Sequence, residues 1–248
     1  MNRKIIRLNV IDSTHSHAIR LVTNGDLLAY TDGCAIVADV QAAGVGRCHR
    51  RWLSPKGNLF ASILTRMPES EDFCKLSLAA GCAARETVLH FTGKPDFLKL
   101  HWPNDIYYKG RKICGILVAL ADNWLIISVG INVNVSPSIE SAISIKDALE
   151  SSDVSLSDVL DILLKNADYW LLQLREQNFF CVRDYWLQNI NEMRDNVVIK
   201  NGRESISGIF RDLDERGRLV LERNNGERLL ISSGDLFMNA EKIVVNNE

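Results

Sequence analysis

The sequence predicts an α+β fold: a mixed, mainly antiparallel sheet flanked by helices, with a small β-barrel-like unit at the C-terminal end. Three observations carry this reading. Apolar runs of strand length at 34–41, 59–65, 113–121 and 124–134 are rich in Val and Ile and bounded by turn residues. Two later stretches repeat apolar residues at helical spacing. Beyond Arg194 the pattern becomes short strands (NVVIK, ESISGIFRDL, RLVLE, ERLLIS) separated by NG, DERG and NNG. A chain of 248 residues has room for one large unit and one small one, expected at 1–193 and 194–248.

Taken in order, IIRLNVI (5–11) suits a strand. Asp12, Ser13 and Thr14 offer three candidate capping oxygens before HSHAIRLVTN, where Ala18, Leu21 and Val22 recur at helical spacing. The strand 34–41 leads through GVGRCHRRW to the strand 59–65. From Glu69 to His90, Phe73, Leu76, Ala80, Ala83, Ala84 and Val88 make one apolar helical face, and its alanines let a helix lie close to a sheet. FLKLHW (97–102) reads as a strand stopped by Pro103, with Asn104 and Asp105 as turn formers. After a tight turn at Gly110, the runs 113–121 and 124–134 form a hairpin about Asp122 and Asn123. The polar stretch 136–153 reads as a connection. Ser155, with Asp158 three residues on, opens a long amphipathic helix carrying Leu156, Val159, Leu160, Leu163, Leu164, Ala167, Trp170, Leu171 and Leu174; a shorter helix carries Val182, Tyr185, Trp186 and Ile190.

Hydrophobic residues at 46% and charged residues at 24% are those of a compact globular chain. A formal charge of -2 supplies no general field for nucleic acid, so any anion site is local. MNRKIIRLNVIDST lacks the features of a secretory signal, and no apolar run reaches membrane-span length, so no membrane partner and a cytoplasmic location are expected. Six scattered cysteines without a CxxC pair indicate neither a zinc site nor a disulfide framework. His15 and His17 have no second pair at ligand spacing, so no metal held by a protein cluster is expected.

Several residues carry candidate chemistry. Gly44 and Gly46 allow successive N–H groups to converge on an anion, and Arg47, Arg50 and Arg51 add charge. Lys112 stands just before a buried strand, Gly115 leaves space against the backbone, Trp52 offers a flat face, and Asn132 and Gln41 offer amides. Each also has a plain explanation taken alone: turn glycines, a solvated arginine face, a surface lysine, a core tryptophan, a turn asparagine.

Together and in this order, these segments resemble the biotin protein ligase family over nearly the whole chain. GVGRCHRRWLSPKGNLFAS is similar to the family's glycine-arginine loop, GRGRxxRxW followed by SPxGNLY and S. HWPNDIYYKGRKICGIL resembles KWPND followed by KxxGIL, SVGINVN resembles GIGINVN, and Ile11 to Thr14 (IDST) resembles the biotin-contacting segment. The β-rich tail resembles the family's C-terminal domain.

The resemblance implies ATP-dependent formation of biotinyl-adenylate, then transfer of biotin to a lysine of a carboxylase carrier protein. It implies catalytic roles for Lys112, Arg47 and Asp105. Biotin would be held by Ser13, Thr14, His15, Gln41, Val45, Gly46, Arg47, Lys112 and Gly115, and the nucleotide by Trp52, Asn132 and Arg47. Asp105 would orient Lys112, position the Mg²⁺ that accompanies ATP, or assist the incoming amine, three roles that the sequence leaves open. A homodimer through a sheet edge is a further expectation. The first strand begins within ten residues of the start, so no DNA-binding domain and no DNA partner are expected.

The chain departs from the family pattern at Val45, where arginine is usual, at Cys48 and His49 in the loop, at Ser128 for the first glycine of GIGIN, at His101 for the lysine of KWPND, and at Ala119 for an acidic residue. Lys99, on the strand face of His101, is a candidate substitute cation. Two other readings remain: a lipoate or octanoyl ligase-type acyltransferase, and a non-catalytic biotin or nucleotide sensor.

Overall fold

A computed structural model describes residues 3–26, 32–66, 72–150, 152–176 and 178–238. Seven strands form the main sheet: β1 (Ile5–Ile11), β2 (Cys34–Gln41), β3 (Leu59–Arg66), β4 (Leu98–His101), β5 (Asp105–Tyr108), β6 (Arg111–Ala121) and β7 (Trp124–Ile131). Their order is β1-β2-β3-β7-β6-β5-β4. Only β1 and β2 run parallel, joined through α1 (Thr14–Thr23); the other neighbours are antiparallel, so the sheet is mixed and mainly antiparallel. The β6–β7 hairpin turns at Asp122 and Asn123, whose φ values of 43° and 63° are those of a type I′ turn.

One face of the sheet packs on α2 (Phe73–Thr92), α4 (Leu156–Arg175) and α5 (Phe179–Asn189) in the large core. The opposite face is covered by α1 over only part of its length: Ala18 and Val22 meet Cys34, Ile36, Leu64, Trp124 and Ile126 in a second cluster. His15, in the first turn of α1, stands at the end of this cover.

The C-terminal sheet comprises β8 (Asn196–Asn201), β9 (Glu204–Leu213), β10 (Leu219–Glu222), β11 (Arg228–Ile231) and β12 (Asp235–Met238), in the order β11-β10-β9-β8-β12, all antiparallel. The expected barrel-like unit is thus an open sheet, because its edge strands β11 and β12 do not pair with each other among the described residues.

Several local expectations change. The helix expected from Glu69 begins at Phe73; residues 67–71 lie outside those described, and Phe73 is exposed rather than part of the apolar face. Asp105 is not a turn former but the first residue of β5, because its backbone pairs with Gly115. The connection 136–153 contains a short helix, α3 (Ile145–Leu149), capped by Ser144, whose side chain accepts from the Asp147 N–H. Ser155 caps α4 as its spacing to Asp158 suggests, and Val159 through Leu174 bury the expected face.

Candidate active site

The site is built on the open face of the sheet, and a β-bulge determines which residues look into it. Tyr107 pairs with Lys112 and Asp105 with Gly115, so β6 carries one extra residue, Ile113, opposite β5. Side chains on a strand alternate with period two; the extra residue shifts that phase and places Lys112, Gly115 and Asp105 on one side. Lys112 Nζ donates to Asp105 Oδ2 at 2.5 Å. The Lys112 backbone is pinned by the segment after β7, donating to Ser141 O at 2.7 Å and accepting from Ile143 N at 3.0 Å. Asn132 Nδ2 donates to Ile143 O at 3.2 Å, which ties the same segment to the end of β7.

Gly115 and Gly130 stand opposite each other on β6 and β7. A Cβ at Gly115 would lie 2.9 Å from Trp52 Cζ3, and one at Gly130 would lie 2.7 Å from Trp52 Nε1. The paired glycines therefore form a floor on which the indole of Trp52 lies, and Lys112 Nζ sits 5.3 Å from that ring's centroid. The Trp52 N–H is buried without a protein partner.

At the α1 end, Ser13 caps the helix by accepting from Ser16 N at 3.4 Å. Thr14 donates from N and Oγ1 to Gln41 Oε1 at 2.9 and 3.2 Å, and Gln41 Nε2 donates to Ser54 Oγ at 2.9 Å. This network fixes which end of the Gln41 amide faces each partner. His15 Nδ1 lies 2.8 Å from Ser128 Oγ, which lies 2.8 Å from Ser62 Oγ; burial holds the His15 pKa below the ordinary histidine value.

The loop between β2 and β3 folds back as a narrow hairpin. Val45 and Arg51 form an antiparallel bridge, and Trp52 N donates to Gly44 O at 2.8 Å. At its tip Cys48 and His49 have φ of 51° and 59°, left-handed conformations that glycine adopts without steric conflict. Arg47 donates to Asn104 Oδ1 at 3.3 Å and to Gly234 O at 3.0 Å, and Arg50 donates to Asp235 Oδ1 at 2.9 Å. Both arginines thus tie the loop to the start of β12.

A cavity of about 230 Å³ is enclosed by these pieces. Ser13, Thr14, His15, Gln41, Val45, Gly46, Arg47, Trp52, Asp105, Lys112, Gly115 and Asn132 all line it. The structure therefore brings together the residues to which the resemblance assigned catalytic, biotin and nucleotide roles, but not Lys99, the candidate substitute cation. Ser54, Ser62 and Gly130 were missed. Gly130 had a legible signal, being the glycine of GIN on the strand expected to pair with that of Gly115, whereas Ser62 becomes relevant only through lateral pairing with Ser128.

Two oxygens on the cavity's residues are buried without a protein partner, Asp105 Oδ1 and Asn132 Oδ1. Such oxygens fit a hard divalent cation. Among the described residues no group of three or more His, Cys, Asp or Glu is gathered for a metal.

Beside the cavity, a groove holds His101, Lys99 and Tyr107. His101 Nδ1 is hydrogen-bonded to the buried carboxylate of Glu192, and Nε2 lies 3.1 Å from Leu236 O of β12. Burial pulls the His101 pKa down, but the Glu192 bond and charge, with Asp105, outweigh it, so the pKa lies above the ordinary value.

Residues 8–135 match the Biotin/lipoate A/B protein ligase family, and residues 196–238 match the Biotin protein ligase C terminal domain. The chain is 30% identical to the biotin–[acetyl-CoA-carboxylase] ligase of Mycobacterium tuberculosis, over 93% of this chain and 88% of that one. It is 28% identical to the enzyme of the same name from Paracoccus denitrificans, over 91% of this chain and 97% of that one. Among solved structures, the biotin protein ligase from Aquifex aeolicus in complex with biotin and ATP superposes with a TM-score of 0.82 at 29% identity, covering 95% of this chain and 98% of that one.

Proposed function

The chain belongs to the Biotin/lipoate A/B protein ligase family, and from that premise we propose that it is an ATP-dependent biotin protein ligase, with residues 1–193 as its ligase unit and 194–248 as its C-terminal unit. In the first step a biotin carboxylate oxygen attacks the α-phosphorus of ATP, the bond to the bridging oxygen breaks, and pyrophosphate leaves. In the second the neutral amine of a carrier-protein lysine attacks the acyl carbon, AMP leaves, and the nitrogen gives up a proton.

The observation that carries this reading is the bulge at Ile113, which turns Lys112 toward Asp105 and the glycine floor. Both steps concentrate negative charge at one place, so they need a positioned cation more than a protein nucleophile. Lys112 supplies it. Its contact with Asp105 holds the ammonium at the cavity's edge, and the backbone bonds at 141–143 restrain the strand that bears it. Gly115 and Gly130 let the Trp52 indole lie against the sheet, and the acyl chain would run over that surface. Ser13, Thr14, His15 and Gln41 gather polar atoms at the far end for the ring system, while Val45, Gly46 and Arg47 close over it from the loop.

The nucleotide side falls to Arg47, Trp52 and Asn132. Asp105 Oδ1 and Asn132 Oδ1 would hold the Mg²⁺ that accompanies ATP, and that ion would neutralise phosphate charge. Receiving the amine's proton would be the alternative role for Asp105. The partner would be a biotin carrier domain of a carboxylase, and the setting the cytoplasm; a second copy of the chain is a further possible partner.

Pyrophosphate release tests the reading. Release that depends on both biotin and ATP is expected, and release with lipoate or octanoate but not with biotin would replace this function with the acyltransferase one. Biotin binding without any release would instead indicate a sensor.

A further inference from the structure

Resting on the ligase reading above, we infer that Ser62, Ser128 and His15 form a one-way hydrogen-bond chain that fixes His15 as a neutral donor at Nε2, and that this donor selects the acyl substrate by an acceptor on its ring end. Ser128 acts as a positioning residue for His15.

The direction of the chain follows from where its hydrogens can go. Ser62 is fully buried at 0% exposure, and its hydroxyl meets Ser128 Oγ at 2.8 Å. Were His15 to donate from Nδ1 to Ser128, either Ser128 would donate to Ser62 and the Ser62 hydrogen would be buried without an acceptor, or Ser128 would accept from both and leave its own hydrogen unpaired on a residue only 7% exposed. A buried orphan donor is costly, whereas the opposite direction leaves its one unpaired hydrogen on His15 Nε2, at the less buried end that lines the cavity. Ser62 therefore donates to Ser128, and Ser128 donates to His15 Nδ1. Burial keeps the imidazole neutral, so its one proton is on Nε2.

The location gives that donor a use. Ser128 stands opposite Leu117, two residues along from the Gly115–Gly130 pair, on the side away from Lys112. At the strand rise, that is about 7 Å beyond the glycine floor. An acyl chain whose carboxylate lies at Lys112 and that runs over the Trp52 indole on this floor ends at this row. His15 lines the cavity, and its Nε2 has no hydrogen-bond partner among the described residues. A cyclic ureido group offers this N–H a carbonyl acceptor; a hydrocarbon or dithiolane end does not. A site with a fixed polar donor discriminates against the analogue that leaves it unpaired. The glycine usual at position 128 in the resembled family has no hydroxyl, so the relay comes from one of this chain's own departures from that pattern.

The full chain labelled with ¹⁵N-histidine provides the first test, the His15 signals being assigned by their loss in His15→Gln. The ligand-free parent is expected to show the Nε2–H tautomer at His15 and Ser128→Ala a mixture; an Nδ1–H tautomer in the parent overturns the inference. Calorimetry provides the second. His15→Leu is expected to weaken biotin about tenfold, as for one lost hydrogen bond, Ser128→Ala by the smaller factor set by its remaining Nε2–H fraction, and both to weaken lipoate by less than about twofold. His15→Gln, whose amide N–H reaches the same point, should stay within about threefold of the parent for biotin. Unchanged biotin affinity in His15→Leu overturns the inference, as does an equal loss for both ligands, which marks a packing defect. If His15→Leu fails to fold, Ser128→Ala carries the same comparison. If the parent does not bind biotin at all, the ligase reading fails and with it the selection of a ureido ring, while the tautomer measurement still decides the direction of the chain.

Discussion

Lys112 Nζ and Asp105 Oδ2 meet at 2.5 Å across β6 and β5, a contact that the extra residue Ile113 makes possible by turning Lys112 to the side of Asp105. In the proposed reaction the ammonium would thereby be held where carboxylate and phosphate converge. Lys112→Ala is expected to lower biotin-dependent pyrophosphate release about a hundredfold or more, the effect typical of removing one preorganised charge-stabilising donor. Asp105→Asn keeps the shape and removes the charge that orients the ammonium, and a smaller loss is expected. Single-turnover pyrophosphate release measures both. Full activity in Lys112→Ala would remove this residue from the chemistry.

The glycine floor makes a prediction about packing. A methyl group at Gly130 would stand 2.7 Å from Trp52 Nε1, so Gly130→Ala must push the indole off the sheet. A loss of about 1–3 kcal/mol is expected in urea unfolding, the usual effect of overpacking. Because the clash is with one side chain, adding Trp52→Ala to Gly130→Ala should cost less than the sum of the two single changes. Strict additivity would mean that the indole does not rest on this floor.

His101 joins the two sheets by bonding Glu192 and the Leu236 carbonyl of β12. Its native pKa lies above the ordinary 6.5, so the folded chain favours the protonated ring. A raised native pKa contributes stability that is full below 6.5 and is lost as pH rises through the native value. The fall in unfolding free energy between pH 6 and pH 8 is therefore expected to be larger in the parent than in His101→Gln, which cannot titrate. An equal fall in parent and variant, measured by urea unfolding at the two pH values, would contradict the link.

Arg47 holds the glycine loop to Asn104 and to Gly234 at the start of β12. Arg47→Gly removes both bonds and the charge, and several-fold faster release of biotinyl-adenylate is expected, with more labelling of bystander lysines, because a freed mixed anhydride reacts in solution. Val45→Arg restores the missing loop charge and should slow release. Unchanged release from Arg47→Gly, measured by rapid filtration of the bound adenylate, would take the loop out of this role.

Much of this was legible in the sequence where period and punctuation agree. The run 34–41 is β2 residue for residue, the Ser155 cap opens α4, and Asp122–Asn123 turns the central hairpin. The residues given catalytic, biotin and nucleotide roles were legible too, and they line one cavity. What could not be read depends on pairing between distant segments. The phase of Lys112 is set by a bulge against β5, and Asp105 sits in a strand because Gly115 pairs with it, although its type suggests a turn. The place of Trp52 follows from two glycines fifteen residues apart becoming neighbours. Arg47 and His101 reach carbonyls at 234 and 236, contacts that no local pattern announces.

Transfer to protein tests the central claim most directly. The purified chain is incubated with biotin, ATP and magnesium together with a carboxylase carrier domain, and the products are blotted with avidin. Labelling of one carrier lysine is expected, absent when ATP is omitted and lost in Lys112→Ala. A folded chain that leaves the carrier unlabelled under these conditions would contradict the account.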